Sequence, residues 1–361
     1  MSRRVPVLSA VAIPFLVVFA GGGTAAPPPE QPRHAPQVFG DVEVVRKTPH
    51  GYLVSPAAVI PFVAEVGSDH PLTRVAYIVT AARLGAGGKA GPEGKEQSVP
   101  VGGFVELLRR GPVRQFRIAA DDASSALDLG KLSQLFREPG ANPELSHYRL
   151  RVCLEATSND RDNDPRTGRS EPVTFVVISE LELLSEIGKE EELLQHSLED
   201  RAADRLRRAR FDFRKLNDRL ASATPEQFPG LDRRAEEVAE AVGRASESVQ
   251  DVHADFRRIV RELRANRVRA AMIDRVEKTA RAPLDDALRR EFVRAAEAMG
   301  ELRKRLDGDD AEQARKAGAA AGRQLDALVG RLSKVVDGTK DLVDLNQNIR
   351  MLLRIEQNTD R

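Results

Sequence analysis

The chain has 361 residues, with 56 Lys+Arg against 55 Asp+Glu, no Trp, three Tyr and a single Cys. Charge this balanced argues against the one-signed surface by which a nucleic-acid binder releases counterions, and the lone Cys153 excludes an intrachain disulfide framework or a zinc ribbon. Sparse aromatics suit helices that bury a narrow aliphatic stripe better than a compact enzyme with a wide core, and the length is that of two domains.

Arg3 and Arg4 precede an apolar run from Val5 to Ala20, followed by Gly21-Gly22-Gly23-Thr24-Ala25-Ala26 and Pro27. This is the order of a secretory signal over residues 1–25, with cleavage after Ala25. Retained, residues 5–20 would be an anchor and a route to membrane association, although Pro14 and the short run make a full span marginal. The expected location is therefore the periplasm or cell envelope. Residues 26–37 read as a Pro-rich linker.

From residue 38 to 178 the apolar period is two. Val42 and Val44 flank Glu43; Ile60, Phe62, Ala64 and Val66 mark a second strand, and Val75, Tyr77 and Val79 a third. Further strands are expected at Val99–Leu107, Val113–Ala119, Leu127–Phe136, Ser146–Ala156 and Val173–Ile178. Short strands separated by Gly, Pro, Asp and Asn predict an antiparallel sandwich, of which the immunoglobulin-like version fits best. Cys153 shares its strand face with Arg149, Arg151 and Glu155 and has no patterned base, so it reads as an incidental small residue.

The period then changes at a capping box, Ser179 with Glu182, flanked by Ile178 and Leu183 at the positions of a hydrophobic staple. A first helix over 179–222 ends at Thr224-Pro225, a helix start with Pro at its first position. In the next helix, 226–306, the apolar series Leu231, Ala235, Val238, Val242, Ala245, Val249, Val252, Phe256, Ile259, Leu263, Asn266, Ala270 and Ile273 has heptad spacing, with Asn266 its one polar member. Pro283 is expected to kink it. Helices over 310–336 and 340–357 complete the chain. Short turns make neighbours antiparallel, so the fold class is multi-domain α+β: a β-sandwich at 38–178, then an antiparallel coiled coil or bundle at 179–361. If helix one and the Leu231 helix pair as a hairpin, Asn266 overhangs toward the base of the sandwich or against the helices after Pro283, where polar company would explain it.

The stretch NDRDNDPRTGRSEPVTFVVISELELL at 159–184 resembles a junction in a family of uncharacterised bacterial envelope proteins. IVRELRANRV at 259–268, APLDDAL at 282–288 and NQNIRMLLRIEQNT at 346–359 are similar to it too. The resemblance implies an immunoglobulin-like domain leading into a long coiled coil, and it brings no catalytic residues. Family members are usually longer, often with several membrane spans, whereas this chain carries one signal-like segment.

Candidate chemistry is thin. Asp160, Asp162 and Asp164, with Glu171 at the twelfth place, imitate the carboxylate spacing of a calcium loop, but Pro165 stands where such a loop needs Gly. The segment GAGGKAGPEGKE lacks the order of a phosphate loop. Six scattered histidines show no ligand spacing, and Asp69-His70-Pro71 reads as a turn. The expected function is thus a non-enzymatic envelope protein without a cofactor, meeting protein partners or a second copy of itself through its coiled-coil surface. The alternative is an extracytoplasmic binding module that holds calcium or a glycan on sandwich loops.

Overall fold

The computed structural model describes residues 35–42, 46–85, 90–132, 147–159 and 165–359. The expected signal or anchor over 1–25, most of the linker and Asp160, Asp162 and Asp164 lie outside the described residues. The fold is mixed α+β, with a curled sheet followed by long helices.

The sheet begins with β1 (Gln37–Val42), β2 (Arg46–Thr48), β3 (Gly51–Val54), β4 (Val59–Ile60) and β5 (Phe62–Arg83). Two strands expected at Ile60–Val66 and Val75–Val79 are thus largely one strand of 22 residues, and Asp69-His70 lies within it. A register shift between Gly67 and Leu72 bends β5 there, so the turn signal of that segment produces a bend and not a break. Next come β6 (Gln97–Pro100), α1 (Gly102–Leu108), β7 (Val113–Ile118), β8 (Leu127–Asp128), α2 (Leu129–Leu132), β9 (Tyr148–Asn159), β10 (Pro165–Arg169) and β11 (Val173–Val177).

The strand expected at Val99–Leu107 therefore stops at Pro100, and that expected at Leu127–Phe136 gives way to α2 after Asp128. At α1 the cause is Gly102-Gly103, which lets the backbone press on the 122–125 loop. A Cβ on Gly102 would meet the Ser124 carbonyl oxygen within hydrogen-bond range or closer.

Nine strands join in the order β1-β5-β9-β11-β3-β2, with β10 on β9 and both β6 and β7 on β5; β4 and β8 pair separately. The pairings are antiparallel except that of β11 with β3, which departs from the all-antiparallel expectation. It places Ile178 beside Val54, whose carbonyl accepts the Ile178 N–H at 3.0 Å, and so aims the chain into the first long helix. The curled sheet encloses Phe62, Tyr77, Phe104, Phe116, Leu154 and Phe175.

The helices are α3 (Glu180–Ser197), α4 (Asp204–Leu220), α5 (Phe228–Ala265), α6 (Ala270–Val276), α7 (Ala282–Asp286), α8 (Phe292–Leu306) and α9 (Ala311–Thr359). Single π turns at Leu198–Ala203, Glu277–Arg281 and Ala287–Glu291 join their neighbours without a break in the helical path. The Ser179 capping box forms as expected: its hydroxyl accepts the Glu182 N–H, and the Glu182 carboxylate accepts the Ser179 N–H at 2.9 Å. Ion pairs fix the directions. Arg258 meets Glu190, Arg303 meets Asp232 at 3.0 Å, Arg331 meets Asp286 at 2.9 Å and Arg210 meets Asp326, so each leg runs antiparallel to its neighbours around one apolar core.

Every member of the heptad series from Leu231 to Asn266 is buried, whereas Ala270 is exposed. The helix expected to continue past this point stops, because Asn266 caps it and Arg267 takes a positive φ of 50°. The Val268 N–H then bonds the Leu263 carbonyl and the Arg267 N–H that of Arg264, which is a Schellman closure with its apolar pair, Leu263 and Val268, in the core. Pro283, expected to kink the helix, stands near the start of α7 between two π turns, and Arg281 and Ala282 before it keep helical dihedrals. It removes the i+4 donor of the Thr279 carbonyl, which lies toward Gly338 on the neighbouring helix. The two final helices are one, α9, which passes through Gly338 without a stop.

Candidate functional site

The sheet and the helices form one compact unit, Ala35–Arg361, and three of its deeply buried polar residues, Ser55, Glu262 and Asn266, gather where the two parts meet. β3 delivers Ser55, and the end of α5 delivers Asn266. The Ser55 N–H donates to Asn266 Oδ1 at 2.7 Å, the Ser55 hydroxyl donates to the Asn266 carbonyl at 2.7 Å, and Asn266 Nδ2 donates to the Glu262 carbonyl at 2.9 Å. Each of these capacities would be costly if left unmade in a buried place. The overhang expected at Asn266 is therefore real, and the Asn is a fastener to the sheet.

One turn earlier stands Glu262, 1% exposed. Arg46 of β2 reaches it with Nε at 3.1 Å and Nη2 at 3.3 Å, and the same Nη2 bonds Glu190 of α3 at 2.5 Å. Burial raises the pKa of the Glu262 carboxyl, with Arg46 opposing. For Arg46 burial works the other way, but the two carboxylates outweigh it and its pKa rises. A fork shared by two acids on different helices orients β2 against both.

Two further pairs close the rim. Arg267, whose positive φ turns the chain after α5, forms a two-pronged bond with Asp128 at 3.0 and 3.3 Å. His147 Nε2 lies 3.1 Å from Glu182 Oε1. Burial opposes the Glu182 charge, yet the Ser179 N–H and hydroxyl together with His147 hold its carboxyl below the usual range.

On the outer face of the sheet an open hollow of about 230 Å³ is lined by Cys153, Arg151, Arg169, Glu93 and Glu96. Arg169 joins Glu155 at 2.7 Å and Glu96 at 3.1 Å, and Arg151 joins Glu93 at 3.2 Å, so the charges there are spent on one another. Burial raises the pKa of the Cys153 thiol, which leaves it a poor thiolate at neutral pH.

Of the sequence-derived calcium candidates only Glu171 is among the described residues, and it is exposed. It lies past the end of β10, six residues and roughly 20 Å along an extended chain from Pro165. β9 and β10 meet at the other end of the hairpin, where Asn159 pairs with Pro165 and where Asp160 and Asp164 are attached. The three aspartates themselves lie outside the described residues. Among the described residues no group of three or more His, Cys, Asp or Glu is arranged to hold a metal ion.

Sequence reasoning anticipated Asn266 but missed Ser55, Arg46 and Glu262. A Glu one turn before a buried Asn was the available signal, but its Arg partner is 216 positions away.

The fold and this joint define a two-part α+β chain whose sheet is fastened to its helices by buried polar groups. No family model matches the chain, and no curated protein matches it. Among solved structures, the chain titled pT26-6p aligns at 10% identity over 87% of this chain and 49% of its own length, with a TM-score of 0.18. This chain spans about half the length of that one, and a score so low establishes no common fold.

Proposed function

We propose that this chain is a non-enzymatic exported protein of the cell envelope, in which an immunoglobulin-like sheet is presented by a coiled-coil bundle that acts as spacer and assembly surface. The joint carries this reading: Ser55 with Asn266, and Arg46 with Glu262 and Glu190, commit buried polar groups to holding one part rigidly on the other. A spacer needs that rigidity, because a partner held by the bundle is then held at a set orientation to the sheet. The N-terminal order of charge, apolar run and small residues supports export. Supporting the assembly role, Phe211 and Leu193 project from the bundle with 59% and 69% of their surface exposed.

In-cell photo-crosslinking from position 211 of the full chain, followed by envelope fractionation and mass spectrometry of the mature N-terminus, tests both halves. The expected result is a discrete adduct in the envelope fraction, with an N-terminus near residue 26 or a retained anchor. An intact cytosolic chain that gives no adduct would overturn the proposal.

A further inference from the structure

The crossover from β6 to β7 carries a surface that the ion-pair networks leave alone. Phe104 anchors α1, buried and edge-on to Phe116 at 5.4 Å. The other side of the helix is open: Val105, Leu107 and Leu108 keep 37%, 39% and 40% of their surface exposed. Val105 and Leu108 are one turn apart and share a face, with Leu107 beside them. The chain then turns at Gly111, whose φ of +147° suits glycine, and enters β7. Arg109, Arg110 and Arg114 are exposed around that turn and, among the described residues, have no carboxylate partner. Arg117 is paired with Glu65, and Glu106 is the sole acid from residue 101 to 117. In a chain of net charge +1, where other basic runs are interleaved with acids, this is a local excess of one sign.

We propose that this surface docks on an anionic lipid bilayer, with Val105, Leu107 and Leu108 entering the boundary between headgroups and acyl chains while Arg109, Arg110 and Arg114 meet lipid phosphates. Apolar side chains rimmed by arginines match that boundary in both its chemistries. A nucleic acid would use the arginines alone and leave the apolar trio in water. The contact is separate from any made by the N-terminal segment and does not rest on the scaffold reading.

The absence of Trp gives a local reporter, since Leu108→Trp places the only indole of the full chain on the surface in question. With vesicles of equal parts phosphatidylcholine and phosphatidylglycerol at low salt, its emission moves to the blue and is quenched by brominated lipid, and high salt reverses both. Adding R109Q, R110Q and R114Q weakens the response by about a hundredfold. Val105→Trp repeats the test should Leu108→Trp melt below the parent. An indole unmoved by the mixed vesicles, moved equally by pure phosphatidylcholine, or indifferent to the triple change overturns the proposal.

Discussion

Ser55 and Asn266, 211 positions apart, are joined twice, each backbone taking part in one of the two bonds and each side chain in the other. An Asn that fixes register in a helical seam gives stability when replaced by Leu. Here Asn266→Leu leaves the buried Ser55 N–H without an acceptor, so a loss of about 1–3 kcal/mol is expected. Ser55→Ala removes only the hydroxyl bond and should cost about 1 kcal/mol. Urea melts of both variants and of the double variant decide the matter. A more stable Asn266→Leu chain would mean that Asn266 sets register in the helical seam and does not fasten the sheet.

Glu262 predicts an unusual pH dependence. Its folded pKa lies above the ordinary carboxylate value, so the folded state holds the proton more tightly than the unfolded one. Stability from this group is complete below the unfolded value and is lost as pH rises through the raised one. Melting of the parent chain relative to Glu262→Gln should therefore fall with rising pH across that window. A difference that grows with pH would show that Arg46 dominates the pair.

Gly102 tests the unforeseen helix. A Cβ there would stand too close to the Ser124 carbonyl, and backbone on both sides leaves little room to move. Gly102→Ala should cost about 1–3 kcal/mol in denaturant melts, a typical overpacking loss. An unchanged midpoint would mean that the 122–125 loop yields freely.

Calcium gives the fourth prediction. Because Glu171 is exposed and lies past the end of β10, six residues along the chain from Pro165, Glu171→Gln should leave any calorimetric response of the full chain unaltered. A calcium-dependent rise in melting temperature that Glu171→Gln abolishes would make Glu171 a calcium ligand.

The helical half was legible where local chemistry decides. Ser179 and Glu182 cap one helix within four residues, and the heptad series from Leu231 to Leu263 is buried throughout. The sheet was less so, because strand limits depend on neighbours far along the chain. Gly102-Gly103 becomes a helix start only when the 122–125 loop lies beneath it, and the parallel pairing of β11 with β3 joins residues 123 positions apart, Phe175 with Tyr52. Pro283 stands between two π turns that its residue type alone does not announce. The joint was half visible: Asn266 stood out as polar in an apolar series, while Arg46 resembled any other surface arginine.

The turns at 221–227 and 307–310 lie at the end of the helices away from Asn266. From Glu180 to Leu220 the distance is about 60 Å at 1.5 Å per residue. That makes the bundle a lever with its fulcrum at Ser55 and Asn266. A tilt of about 5° at the fulcrum swings the remote turns through about 5 Å, roughly the pitch of one helical turn. A sub-ångström slackening of two hydrogen bonds is thereby magnified into a displacement large enough to change which side chains a bound neighbour meets.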